Sequence, residues 1–211
     1  MDLVPGKQFK SFLVASVPEF WARYVVQPPE ERHHYELIPP DVPVKAFFDL
    51  DCKAKDLEAV KPLRDRQFCD HHEAIHATLT ELESVLTELF GGPQRLDGYV
   101  RMDASTNSKG SVHLVAPPAV FSSMAHLAHW EKSILSPRLS ESTRAILDTG
   151  IYTTNRQFRV LWSEKFGKGN HLHPRLAEGG ARDERGVVFD SLVSNFDSNN
   201  PPLGQRLCGP R

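Results

Sequence analysis

The stretch Val44-Lys45-Ala46-Phe47-Phe48-Asp49-Leu50-Asp51 runs from an apolar segment straight into two carboxylates one residue apart. Val44, Phe47 and Phe48 favour a strand, and strand side chains alternate between faces. Asp49 and Asp51 therefore share a face, with Cα atoms about 7 Å apart, while Leu50 points the other way into a core. Two like charges side by side repel, and a hard divalent cation, which takes carboxylate oxygens, is the economical partner. A strand end leaving the core with two solvated acids is the plainer alternative, and Asp-x-Asp alone does not decide between them.

The rest of the chain bounds the answer. Its 211 residues suffice for one large domain or two small ones, and its apolar and charged fractions are those of a globular protein. No apolar run approaches the ~20 residues that span a bilayer, so no membrane partner is expected. Phe12-Leu13-Val14-Ala15 is too short for a signal-peptide core, and no arginine precedes Arg23. Cys52, Cys69 and Cys208 form no Cys-x-x-Cys pair, which argues against a zinc finger or a disulfide framework and for a reducing intracellular compartment. The net charge of −2 does not mark a nucleic-acid binder, but its distribution is uneven. Between Ile151 and Arg175 there are five lysines and arginines and one acid, whereas between Asp49 and Asp97 acids outnumber bases eleven to six. A basic strip beside an acidic site suits a polyanion, although chance clustering on a solvated surface would look the same.

In chain order, Phe9 to Ala15 reads as a short strand. Ser16-Val17-Pro18-Glu19 reads as a capped helix start, with Phe20, Trp21 and Tyr24 on its buried face. His34 to Ile38 is a strand ended by Pro39-Pro40, and the Asp49/Asp51 strand follows. Lys53 to Arg66 is a charged connection. Ile75, Leu79, Leu82, Leu86 and Leu89 form one stripe of a helix from about Asp70 to Phe90, stopped by Gly91-Gly92-Pro93. Tyr99–Met102 and Ser111–Val115 are strands joined through the turn Asn107-Ser108-Lys109-Gly110. Ser122–Leu135 is a second, less regular helix, and Phe158–Trp162 is a strand. Phe166–Arg185 reads as loop and Val187–Val193 as a last ordered segment. Residues 1–195 would make one domain and 196–211 a mobile tail.

Two further groups carry chemistry. Lys109, Ser111 and His113 alternate on one face entering a strand, where a cation, a hydroxyl and an imidazole can cradle phosphate. A polar, exposed hairpin edge would have the same pattern. The other group runs from Asp148 to Lys165. If Phe158–Trp162 is a strand, Arg159 shares a face with Ser163, and an extended continuation adds Lys165. Arg159 can hold phosphate bidentately and Lys165 as a point charge. Asp148 is the third carboxylate that a two-metal site wants, or else a partner in a buried ion pair.

Phe48-Asp49-Leu50-Asp51, then Ser105-x-x-x-Lys109-x-Ser111-x-His113-Leu114-Val115, then Asp148 to Lys165 resemble the three motifs of archaeo-eukaryotic primases. Asp148, Tyr152, Asn155-Arg156-x-Phe158-Arg159 and Ser163-x-Lys165 look most like the eukaryotic primase-polymerase branch. The flanking stretches His34-Tyr35-Glu36-Leu37-Ile38-Pro39 and Ser191-Leu192-Val193-Ser194-Asn195 agree with it. The resemblance covers roughly Val17 to Asn195.

That resemblance implies an α+β fold, a primase catalytic core with a modified, RNA-recognition-like mixed or antiparallel sheet backed by helices. It implies template-directed nucleotidyl transfer on DNA with (d)NTP substrates, of use in repriming or damage-tolerant synthesis, by a monomer in the nucleus or mitochondrion of a eukaryote. Asp49, Asp51 and Asp148 would hold two divalent metals, Mg²⁺ or Mn²⁺. Lys109, Ser111, His113, Arg159 and Lys165 would hold the triphosphate, Arg156 would lie near nucleotide or template, and Tyr35 would lie near the sugar. Asp51 stands where eukaryotic members often have Glu, and no Cys/His cluster of the kind that forms their zinc module is present. A core without that module is expected to extend primers better than it starts them. A metal-dependent nuclease and a non-catalytic nucleic-acid-binding relative remain as alternatives.

Overall fold

The structure is a computed structural model that describes residues 11–57, 70–90, 99–175 and 183–195. The stop at Gly91-Gly92-Pro93, most of the Lys53–Arg66 connection and the tail from residue 196 lie outside the described residues. Architecture is mixed α+β, and every strand pairing among the described residues is antiparallel.

Strand β1 (Tyr35–Ile38) pairs with β5 (Arg156–Arg159) in a two-stranded sheet. The larger sheet has the order β2 (Val44–Lys53), β4 (Lys109–Phe121), β3 (Val100–Asp103), β6 (His173–Arg175). Strand β4 runs past the expected Val115 to Phe121, through Pro117 and Pro118. Proline cannot donate to a ladder. The pairing accordingly jumps from Ala46↔Ala116 to Lys45↔Val120, leaving residues 117–119 out of register.

Helix α1 (Val17–Tyr24) starts on the expected capping box, with the Glu19 amide donating to Ser16 Oγ and the Ser16 amide to Glu19 Oε2. Helix α2 (His71–Phe90) buries Ile75, Leu79, Leu82 and Leu86 against β2 and β4. Its close approach needs Gly110, where a Cβ would meet Ile75 Cγ1 at 2.7 Å. Phe48 and Leu50 face that helix side of β2, in a core shared with Leu114 and Leu127.

Several expectations need correction. Of the strand expected over Phe9–Ala15, Phe9 and Lys10 lie outside the described residues, and residues 11–15 form no strand, with Phe12, Leu13 and Val14 exposed. The second helix is α3 (Met124–Trp130), followed by a widened turn over Glu131–Leu135 and a tight one over Ser136–Arg138. Helix α4 (Glu141–Ile146) has no counterpart in the sequence reading; Ser140 caps it and also donates to Glu81 of α2. The stretch read as loop from Phe166 to Arg185 contains β6, and the segment expected over Val187–Val193 contains most of helix α5 (Glu184–Ser191).

The largest correction concerns Phe158–Trp162. Strand β5 stops at Arg159, and the backbone turns at Trp162, whose φ is +62°. Bonds from Trp162 N to Leu172 O (2.7 Å) and Ser163 N to Val160 O (3.0 Å) fix that turn. Strand alternation therefore does not carry from Arg159 to Ser163 and Lys165.

Candidate active site

The register of β2 against β4 assembles the first half of the site. Asp49 lies opposite His113, Asp51 opposite Ser111, and Lys53 opposite Lys109. Lys109 Nζ is 2.6 Å from Asp51 Oδ1, and His113 Nε2 is 3.5 Å from Asp49 Oδ1. Two motifs far apart in sequence thus face each other across one ladder.

The free edge of β2 places the third carboxylate. Along that edge Lys45 N donates to Val193 O (2.9 Å), Phe47 O accepts from the Tyr152 hydroxyl (2.8 Å), and Asp49 O accepts from Asp148 N (2.8 Å). Covering the edge in this way satisfies groups that would otherwise stay unpaired. It also pins the Asp148 backbone beside Asp49. The Asp148 carboxylate is exposed and accepts from its own turn, at Gly150 N (2.9 Å).

The electrostatics separate the acids. Burial, then the nearby charges of Asp51 and Asp148, push Asp49 up to about 7. Burial acts on Asp51 in the same direction, but hydrogen bonds from Lys109 and Ser111 and the charge of Lys165 outweigh it and hold the carboxyl below its usual range. Burial, with Arg159 next in weight, lowers His113 to about 3, so its imidazole is neutral. Phe158 lies in the main core behind the site, and its ring stacks on His113, with centroids 4.4 Å apart. Ring packing of that kind is invisible to strand alternation.

Arg159 is 4% exposed and lies opposite Tyr35 in the β1–β5 register. Its Nη1 donates to Asn170 O (3.0 Å), while Nε has no hydrogen-bond partner. Burial lowers its pKa, opposed by Tyr35, Asp49 and Asp51. Lys165 is exposed, yet its charge reaches both Asp49 and Asp51. Arg156 stands apart from this group, donating from Nη1 to Gly150 O (3.4 Å) on the Asp148 turn. Tyr35 is 38% exposed beside Arg159.

Among the described residues, no three acidic, histidine or cysteine side chains are gathered closely enough to enclose one metal ion. Asp148 points its oxygen at Gly150, and Lys109 sits on Asp51. The donor chemistry nevertheless fits a hard cation. Among the described residues Asp49 Oδ1 is buried with no hydrogen-bond partner, His113 Nε2 standing 3.5 Å away, a costly state that a cation would relieve.

No protein-family model matches the chain. Among curated proteins it is 25% identical to the DNA-directed primase/polymerase protein of Danio rerio, over an alignment covering 93% of this chain and 45% of that protein. It is similar to primase-polymerases. The corresponding human protein is 27% identical over 64% of this chain and 22% of its own length. A putative primase of Ostreid herpesvirus 1 is 26% identical over 79% of this chain and 16% of its own length. The chain therefore spans less than half the length of these relatives, and its resemblance to primase-polymerases extends well beyond the three motifs.

Proposed function

We propose that this chain is a primase-polymerase catalytic core that joins a nucleotide to a primer 3′-hydroxyl, directed by a DNA template. The observation that carries the reading is the β2–β4 register. It sets two adjacent carboxylates against a lysine, a serine and a neutral histidine, with Arg159 and Lys165 close enough to act on the same acids. A nuclease needs the carboxylates but has less use for so many phosphate-binding groups. The two antiparallel sheets and their helices would then form an archaeo-eukaryotic primase core, with the larger sheet as its RNA-recognition-like element.

Asp49, Asp51 and Asp148 would hold two divalent ions, Mg²⁺ or Mn²⁺, which when bound would activate the 3′-hydroxyl and take up charge on the triphosphate. The protein's own groups do the rest. Arg159, fixed by Asn170 and buried, offers an unpaired N–H to a phosphate oxygen without having to be ordered first. Neutral His113 can donate one ring N–H to phosphate without adding charge to the site. Lys109 is a point charge that can leave Asp51 for the phosphates once metal is present, and exposed Lys165 is a second point charge for them. Tyr35 beside Arg159 would meet the sugar, and Arg156, nearer the Asp148 turn, the nucleotide or template.

The test is primer extension on a DNA template with Mg²⁺ and with Mn²⁺, alongside nucleotide binding without DNA. Metal-dependent extension with saturable nucleotide binding is expected. Metal-dependent cleavage of the template, or DNA binding without extension in either metal, would overturn the reading.

A further inference from the structure

The two flanking stretches that the motifs leave without a role, around Glu36 and around Val193, bind each other. Glu36 Oε2 accepts from Val193 N (2.7 Å), and Oε1 accepts from Ser194 N (2.7 Å) and Ser194 Oγ (2.5 Å). On the other side, Lys45 N donates to Val193 O (2.9 Å). Lys45 Nζ, on a side chain only 3% exposed, donates to Phe189 O (3.2 Å) and Asp190 O (2.9 Å) at the end of α5. One short segment is therefore bonded to β1 through Glu36 and to β2 through Lys45.

Its side chains repeat the pattern. Leu192 fills the small cluster with Tyr24 and Val160, the residue directly after Arg159, while Val193 fills the main core. Among the described residues the two sheets share no ladder. Phe158 touches Phe47 and His113 across the gap, but apolar contact is non-directional. Directional bonds tie the end of β5 to the segment before β6, from Trp162 N to Leu172 O and from Arg159 Nη1 to Asn170 O, and those that tie the β1–β5 sheet to β2 itself run through the strap of residues 189–194.

We infer that Glu36 and Lys45 are positioning residues, which through this strap hold the β1–β5 sheet, and with it Arg159 and Tyr35, in place over the Asp49/Asp51 face of β2. A carboxylate taking three hydrogen bonds from one segment is a demanding fit. Glutamine at position 36 keeps the shape but turns an NH₂ group toward a donor, and one bond becomes a repulsion. The inference rests on the polymerase reading only in naming nucleotide as what the placement serves.

The test uses Glu36→Gln, Ser194→Ala and Ser194→Thr in the full chain. Amide hydrogen exchange should quicken by roughly tenfold or more in the β1–β5 ladder and at Val160, the equivalent of one lost charge-assisted bond, with the β2–β4 ladder unchanged. The Kd for Mg²⁺·dATP should rise by a similar factor, more than that for primer-template. Ser194→Ala should show a smaller effect of the same kind, and Ser194→Thr, which keeps the hydroxyl, none. Should Glu36→Gln fail to fold, the Ser194 pair decides alone. Unchanged or uniformly quickened exchange overturns the inference. Wild-type protein that binds no nucleotide overturns the polymerase reading and the nucleotide half of this inference, and the exchange pattern still decides whether the strap fixes the sheets.

Discussion

The two halves of the site are built in opposite ways. The acidic half lies on β2, whose ladder with β4 is regular from Ala46 to Lys53, with one face against α2 and the other carrying Asp49 and Asp51. The basic half lies on a four-residue strand and the turn after it, where the backbone passes through a left-handed residue at Trp162 before reaching Lys165. Alternation alone places the acids. Arg159 and Lys165 reach the same acids only because the turn folds the chain back, and because Asn170, the strap and Phe158 hold β5 where it is. A ladder tolerates change at an exposed face, whereas a turn placed by scattered contacts depends on each of them. Substitutions in the two halves should therefore fail differently.

The largest effect should come from the acids. On the proposed reading, Asp49→Ala or Asp51→Ala would remove a metal donor, and extension should fall below detection in either metal. In metal-free buffer the melting temperature of Asp49→Ala should hold or rise, because burial and the charges of Asp51 and Asp148 oppose its ionised form. Calorimetry beside the extension assay checks both. A clear loss of stability would mean that Asp49 supports the fold and not only the site.

Lys45 joins the ladder to the strap, and its stability effect has a definite sign. Burial lowers this lysine from the usual value near 10.5 to about 8, opposed by the carboxylates of Asp190 and Glu36. The folded state then holds the proton less well than the unfolded one. Between about pH 8 and pH 10.5 the unfolded chain binds more protons, so stability rises with pH across that window. At ~1.4 kcal/mol per unit the gain is on the order of 3 kcal/mol. Lys45→Met lacks this titration. The stability of wild type relative to the mutant should be flat below pH 8 and climb above it, as denaturant unfolding at a series of pH values would show. A flat difference throughout would mean that the ammonium is well solvated.

The basic half should divide by burial. Arg159→Ala removes a buried charge-assisted contact worth ~1.5–3 kcal/mol and leaves the Asn170 carbonyl short of a donor, so nucleotide affinity should drop roughly ten- to a hundredfold. Exposed Lys165 acts through more water, and Lys165→Ala should cost less. DNA affinity without nucleotide should change little in both. Separate titrations of nucleotide and DNA decide this; equal losses for the two ligands would assign these residues to the template groove.

What could be read from the sequence follows the same division. The capping box at Ser16, the apolar stripe of α2 and the alternation in β2 and at the start of β4 are local patterns, and each element appears where its pattern stands. Helix α4 escaped because six residues are too few for a periodic stripe and its cap is shared with Glu81. Strand β4 outran its reading because proline, which usually ends pairing, here sits in a register jump. The residues of the acidic half were legible together. For the basic half the residue types were legible but not the path that gathers them, since a left-handed tryptophan has no signature in composition. Glu36 could be found only as part of a flanking resemblance, because its partners lie 157 and 158 residues away.

The smallest expected effect concerns Tyr35, where the two halves meet. It is opposite Arg159 on β1 and 38% exposed, so its ring stands at the border of the site rather than in the core. If Arg159 holds the triphosphate as proposed, a ring beside it would collide with a ribose 2′-hydroxyl while clearing a deoxyribose. Discrimination of this steric kind adds no attraction for the favoured sugar, so Tyr35→Ala should leave deoxynucleotide incorporation nearly unchanged. It should raise ribonucleotide incorporation and narrow the ratio by severalfold, whereas Tyr35→Phe, which keeps the ring, should preserve it. Competition between matched deoxy- and ribonucleotides on one primed template reads the ratio directly. An unchanged ratio in Tyr35→Ala would return this ring to the edge of the β1–β5 sheet as a structural residue. A loss of both activities together would show instead that it supports Arg159.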